Sequence, residues 1–294
     1  MPVNPRTGLL ESFNDFYKVP LVHQTSLNTL KFHGQPTALH TVPIGNGLTL
    51  DFYSKLSRSD ELLIAFHGAN LAEKNFYPRF ERVHSMRSRA DSFMAFADPT
   101  IMVDTDREML LSWFLGGPGW DPANAIMKAI RKAIGKTGAK HLSFVGGSGG
   151  GFAALRMSAM VPGSLAFIQE PQTNIGRYIP HVVDTYFEKV WPNWDRSKLI
   201  DAFPARFNMV DHYKEHAPTN YVYYAQSVAD TSHVENHYGP FKEAFGLKSR
   251  DGVSPNQRCK FVLYEGAVAG HGKITPAEFD FHFQEAMEYW RANR

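Results

Sequence analysis

The sequence predicts an α/β fold, a mostly parallel central sheet flanked by helices, and three observations predict it. Short apolar runs alternate along the chain with stretches of helical periodicity, the pattern of strand–helix repeats. The first two runs are separated by Gly45-Asn46-Gly47, so the sheet starts with a hairpin. Near the middle, an apolar run passes through a glycine-rich turn straight into a helical segment.

The hairpin runs are Ala38–Ile44 and Leu48–Ser54. Leu62–Phe66 follows and ends in His67-Gly68, and Ser92–Ala97 is closed by Asp98-Pro99. Ala123–Ile134 reads as a helix, because Ile126, Ala129, Ile130 and Ile134 fall on one face. His141–Val145 is the strand before the glycine-rich turn, and Phe152–Met160 is the helix after it. Leu165–Ile168, Tyr221–Ser227 and Lys260–Tyr264 complete the strands, and Pro276–Arg291 closes the chain as a helix with Thr275 as N-cap and Pro276 at its first position. The expected organisation is one domain over 1–294. Residues 172–219, rich in aromatics and helix breakers and without a clean strand, are expected to form a lid or insertion over the C-terminal edge of the sheet.

Composition excludes several functions. The 294 residues are 43% hydrophobic and 20% charged, enough for a large core. A net charge of +2 without a basic tract argues against nucleic acid as a partner. No apolar run is long enough to span a bilayer and no secretory signal is visible, so the expected location is cytoplasmic. The one cysteine, Cys259, allows no internal disulfide and is expected to be a small buried hydrophobe.

The chemistry starts at Gly146-Gly147-Ser148-Gly149-Gly150, a G-x-S-x-G pattern between the strand Leu142–Val145 and the helix beginning Phe152-Ala153-Ala154-Leu155. A nucleophile on so sharp a turn sits on strained backbone, and side chains on its neighbours would meet main chain. The turn also places Ser148 at a helix N-terminus, whose N–H groups favour developing negative charge. A phosphate-binding loop fits less well, since the G-x-x-x-x-G-K-[ST] pattern is absent and the spacing does not suit a dinucleotide fingerprint.

A serine hydroxyl needs a base to take its proton. Among thirteen histidines, His271 sits in Ala269-Gly270-His271-Gly272 between the last strand and the last helix, where the Ser…Asp…His order places the base. Asp230, after Tyr221–Ser227, is the acid expected to hold its tautomer, with Glu170 in reserve. For the oxyanion hole, one donor is the Gly149 N–H. The second is expected from His67-Gly68-Ala69-Asn70, with Ala69 first and Gly68 next. His67 is expected to be structural. His233 and His237 are four residues apart near Asp230 and Glu235, but the order is not H-E-x-x-H, so they are expected to be surface histidines and no metal is assigned. No cofactor is needed.

These motifs together resemble the α/β-hydrolase fold over about Leu48 to Arg294. Ser143 to Leu155, with Gln172-Thr173-Asn174-Ile175 after it, further resembles a branch associated with bacterial surface glycans: capsular-polysaccharide biosynthesis proteins and acetyl-handling hydrolases of accessory secretion systems. A second glycine before Ser148 and three after it depart from that branch's pattern. The resemblance implies an acyl-serine intermediate and acyl removal from, or transfer to, a glycan or small-molecule ester. The alternative it leaves open is a catalytically silent binding partner in glycan or secretion assembly. Oligomeric state is not encoded in any visible stripe or patch.

Overall fold

The computed structural model describes residues 1–32, 36–70, 77–272 and 274–294. The chain divides into two compact units, Met1–Leu142 and Ser143–Arg294. Among the described residues, no helix is long and apolar enough to cross a membrane.

The first unit holds β1 (Leu10–Asn14), β2 (Val19–His23), β3 (Thr37–Gly45), β4 (Leu48–Lys55), β5 (Glu61–Phe66), α1 (Val83–Met86), β6 (Phe93–Phe96) and α2 (Pro122–Thr137). Its strands lie in the order β1-β2-β3-β4-β6-β5. β3 and β4 form the antiparallel hairpin that Asn46-Gly47 predicted, both turn residues taking positive φ. β5 and β6 pair in parallel, and Leu62 to Phe66 and Phe93 to Phe96 are buried throughout, as expected of strands covered on both faces. Helix α2 starts on Asp121, whose carboxylate accepts from Ala123 N, and stops at Gly138 in the left-handed region at φ 79°. Strands β1 and β2 carry no clear signature in sequence. Glu11, Ser12 and Asn14 are polar and Pro20 interrupts the alternation, so it is the pairing of β2 with β3 that makes them strands.

The second unit begins within β7 (His141–Gly147). It continues through α3 (Gly149–Ala159), β8 (Leu165–Gln169), α4 (Pro180–Val190), α5 (Arg196–Ala202), α6 (Pro204–Phe207) and α7 (Met209–His216). Then come β9 (Tyr221–Ser227), α8 (Thr231–His233), a π-turn at Val234–Tyr238, α9 (Gly239–Ala244), β10 (Gly252–Val253), β11 (Cys259–Tyr264) and α10 (Pro276–Asn293). β7, β8, β9 and β11 run parallel in that order, with β10 antiparallel at the edge. A parallel array delivers all the loops after its strands to one edge, which is where sites form in such sheets. That edge receives Ser148, Gln172, Asp230 and His271. Helix α10 is closed by a full capping box between Thr275 and Glu278. Its Phe279 lies 5.7 Å from the Phe167 ring of β8, and Trp290 Nε1 donates to the Gly163 carbonyl at 2.9 Å. Cys259 is buried in β11.

Residues 172–219 fold as short helices, with no strand among them. Trp191 packs on Trp194 and Phe207, and its indole N–H donates to the Tyr186 hydroxyl at 3.1 Å. Trp191 and Tyr186 are buried in this aromatic cluster and so serve its core, whereas Trp194 remains 51% exposed.

Candidate active site

The turn after β7 holds Ser148 at φ 53°, ψ −126°, a conformation that side chains rarely adopt. The main chain locks it in place: Ser148 N donates to the Gln169 carbonyl at 3.0 Å, and the Ser148 carbonyl accepts from Gly151 N at 3.0 Å. Two glycines are required by close approach. A Cβ on Gly146 would lie 2.1 Å from the Gly150 carbonyl oxygen, and one on Gly151 would lie 2.5 Å from Pro171 Cβ. Gly147 has no such need, its nearest neighbour being 3.5 Å away. Helix α3 starts at Gly149, so that residue's amide belongs to the helix's unpaired N-terminal set.

The structure brings three of the sequence-predicted residues together. Ser148 Oγ lies 2.8 Å from His271 Nε2, and His271 Nδ1 lies 2.8 Å from Asp230 Oδ2. Gly270 and Gly272, both at positive φ, turn the loop that presents His271. Asp230 is buried at the start of α8. Burial works to raise its carboxyl, but hydrogen bonds and charge from His233 and His271 prevail and hold it well below the usual carboxylate range.

Glu170 has a different task from the one held in reserve for it. It sits in the left-handed region at φ 43°, its Oε2 accepts from Gly272 N at 2.6 Å, and its Oε1 accepts from the Tyr264 hydroxyl at 3.0 Å. Oε2 is 3.9 Å from His271 Nδ1, beyond hydrogen-bond reach. Glu170 thus ties the His271 loop to the strands. Glu170→Gln keeps the shape but weakens the charge-assisted bond to Gly272, and the rate of serine labelling by an acyl or phosphonyl probe is expected to fall about 10-fold, because small displacements of a catalytic group are costly. An unchanged rate would remove this role.

Sequence reasoning missed Gln172, Tyr178 and the true position of His233. Gln172 Nε2 lies 2.9 Å from Ser148 Oγ and 3.1 Å from His233 Nε2. The Tyr178 hydroxyl is hydrogen-bonded to the Ser148 side chain. The available signal was positional: Gln172 follows the strand beside the nucleophile strand, at the sheet edge where sites form.

The expectation that His233 and His237 are surface residues is overturned, since they are 4% and 1% exposed. His237 lies in a π-turn that replaces the expected helical turn, and His233 ends the short α8 just before it. His237 Nδ1 accepts from Thr173 N at 3.2 Å. The His233 ring stacks on His271 with centroids 3.9 Å apart and planes 12° from parallel. Asp230, His233 and His271 offer ligand atoms within 4.8 Å of one another. Imidazole lone pairs lie in the ring plane, however, and two stacked, nearly parallel rings cannot both aim at one ion. The trio as arranged suits a shared carboxylate rather than a metal.

In the first unit, His67 is buried and both its ring nitrogens are engaged, Nδ1 with the Gly68 carbonyl at 2.7 Å and Nε2 accepting from Asp98 N at 3.0 Å. It has no nitrogen left to act as a base. Gly68 and Ala69 follow His67 in the loop after β5, and the Asn70 amide is committed to the Leu110 carbonyl at 2.7 Å. Burial lowers His67 to about 4 against partial compensation by the Gly68 carbonyl, and burial with nearby His233 and His271 lowers His237 to about 3.

Both histidines resist protonation in the folded state and accept it freely when unfolded. Stability is therefore fully present above the unfolded histidine value and falls as pH drops from about 6.5 towards 4, by about 1.4 kcal/mol per pH unit for each such residue. Asp230 adds its own loss only below the ordinary carboxylate range, near pH 4. Urea midpoints at pH 7.5 and 5.5 are expected to differ markedly, and equal midpoints would refute this.

No protein-family model matches the chain, and no curated protein matches it. Solved structures do. The capsule O-acetyltransferase of Neisseria meningitidis serogroup A superposes with a TM-score of 0.56 at 14% identity, over 85% of this chain and 94% of that one. A variant of that enzyme in complex with CoA matches equally, with a TM-score of 0.56 at 14% identity over 86% and 94%. An S-formylglutathione hydrolase from Agrobacterium tumefaciens gives 0.55 at 11% identity over 97% and 94%. The glycosylation-associated protein complex Gap123 from Streptococcus agalactiae gives 0.57 at 17% identity, over 86% of this chain and 46% of that one. With a largely parallel sheet flanked by helices and these neighbours, the chain has the α/β-hydrolase fold.

Proposed function

We propose that this chain is a serine-dependent acyl hydrolase of esterase type, working through an acyl-serine intermediate on an acylated glycan or small ester. One observation carries the reading: the unbroken line of contacts from Ser148 Oγ to His271 Nε2 and from His271 Nδ1 to Asp230 Oδ2, each 2.8 Å. Asp230 accepts the Nδ1 proton and so leaves the Nε2 lone pair facing the serine. The Oγ–H proton passes to Nε2 as Oγ attacks the acyl carbon, and His271 then delivers that proton to the departing alcohol. Water, deprotonated in turn by His271, releases the acid. The Gly149 amide meets the oxyanion.

Acyl transfer to a sugar hydroxyl uses the same residues, and the likeness to a capsule O-acetyltransferase favours it as the second reading. Helices α4 to α7 then form a lid whose access to water decides between the two. The direct test is intact mass after exposure to a fluorophosphonate, with Ser148→Ala in parallel. The expected result is one adduct on the parent and none on the variant. Release of acetate from acetylated glycan would establish hydrolysis, and acetyl passing from acetyl-CoA to unmodified glycan would establish transfer. A folded parent that takes no adduct would overturn both and leave a binding role in glycan assembly.

A further inference from the structure

Ser148 Oγ is met on one side by His271 and on another by the side chain of Gln172, which is itself fully buried. We propose that Gln172 is a second hydrogen-bond donor to the nucleophile and that His233 is the positioning residue that fixes its amide. The inference rests on Ser148 being the nucleophile.

The orientation of the amide follows from His233. Its Nδ1 lies 3.0 Å from Asp230 Oδ2, the same carboxylate oxygen that faces His271 Nδ1 at 2.8 Å. A lone pair on Nδ1 facing the carboxylate would be repelled, so Nδ1 carries a proton. Burial and the neighbouring His271 disfavour a second proton on the ring. His233 Nε2 therefore keeps its lone pair, and the group 3.1 Å away must be the NH₂ of Gln172. One Nε2 hydrogen of Gln172 goes to His233, and the other goes to Ser148 Oγ. The opposite amide orientation would do the reverse. It would offer Ser148 an acceptor that competes with His271 for the hydroxyl proton.

The donor acts wherever Oγ carries negative charge. In the first half-reaction the Oγ–H proton moves to His271 Nε2 as the bond from Oγ to the acyl carbon forms. The bond from the acyl carbon to the leaving alcohol's oxygen then breaks as His271 gives that oxygen the proton. In the second half a water or sugar hydroxyl gives its proton to His271 and attacks, the acyl carbon–Oγ bond breaks, and Oγ recovers the proton from His271. Gln172 keeps both its hydrogens throughout and stabilises Oγ as it attacks and as it leaves. His233 touches no reacting atom.

The tautomer of His233 tests the orientation without requiring activity. Long-range ¹H–¹⁵N correlation of ¹⁵N-histidine-labelled protein at pH 7.5, with His233 identified by its loss in His233→Gln, is expected to show the neutral form protonated on Nδ1. A proton on Nε2 would overturn the proposal. The kinetic arm is the rate of fluorophosphonate adduct formation. Gln172→Ala is expected to slow it about 10- to 100-fold at an unchanged urea midpoint. Gln172→Glu, which replaces the donor with an acceptor, is expected to slow it further and to shift the His233 signals to the doubly protonated pattern. Wild-type labelling with an unaltered Gln172→Ala rate would sink this inference alone, whereas a wild type that takes no adduct would sink the nucleophile assignment beneath it.

Discussion

Ser148→Ala is expected to lower acyl turnover by about 10⁴-fold or more, because the nucleophile and its base act as a unit and only binding and the oxyanion donors remain. Stability offers an independent check on the same residue. Ser148 occupies φ 53°, ψ −126°, a region that costs a non-glycine residue about 1–3 kcal/mol. Alanine keeps the Cβ and so keeps the strain, while glycine relieves it. Ser148→Gly is therefore expected to melt about 2 °C or more above Ser148→Ala, both being inactive. A Ser148→Ala protein that retains turnover would end the nucleophile assignment. A glycine variant melting below the alanine one would mean that the elbow is not strained.

Gly146→Ala is expected to produce the largest loss of stability of any methyl-sized change at the elbow. The added Cβ would sit 2.1 Å from the Gly150 oxygen and 2.2 Å from its carbonyl carbon, and both are main-chain atoms of the turn that cannot swing away. Relief requires moving the first turn of α3 away from β7, at a cost of about 3 kcal/mol or more. Gly147→Ala is the control. Its nearest neighbour is 3.5 Å away, an ordinary contact, so a change under about 1 kcal/mol is expected. Chemical denaturation of the two variants side by side checks the pair, and equal midpoints would refute the packing argument. Both glycines precede Ser148 in the sequence, yet only one is sterically required.

The elements easiest to read from sequence were those whose determinants are local. Asn46-Gly47 set the β3–β4 turn, the apolar face of Ile126, Ala129, Ile130 and Ile134 marked α2, and Thr275 with Pro276 opened α10. Continuous apolar runs marked β5, β8 and β9 because strands buried on both faces need no alternation. The strand-turn-helix around Ser148 and the loops holding Asp230 and His271 were legible for the same reason: each lies next to a strand whose own residues announce it. β1 and β2 were illegible because their partners, not their residues, make them strands.

What the sequence by itself determined is where β3 to β9 and β11 fall along the chain and the identity of the three residues now found in one line, since chain order and flanking glycines suffice to nominate them. Only the tertiary structure decided that Gln172 touches Ser148, that Glu170 holds the base loop instead of orienting the base, and that His233 is buried against His271. The physical reason is separation along the chain. These contacts join residues 24, 102 and 38 positions apart (172 − 148, 272 − 170 and 271 − 233), and each depends on strands of one parallel array ending at the same edge. A periodicity of 2 or 3.6 residues carries no information over such distances. The π-turn at Val234–Tyr238 shows the limit most sharply: no local pattern announces it, and it holds His237 in the core instead of at the expected surface.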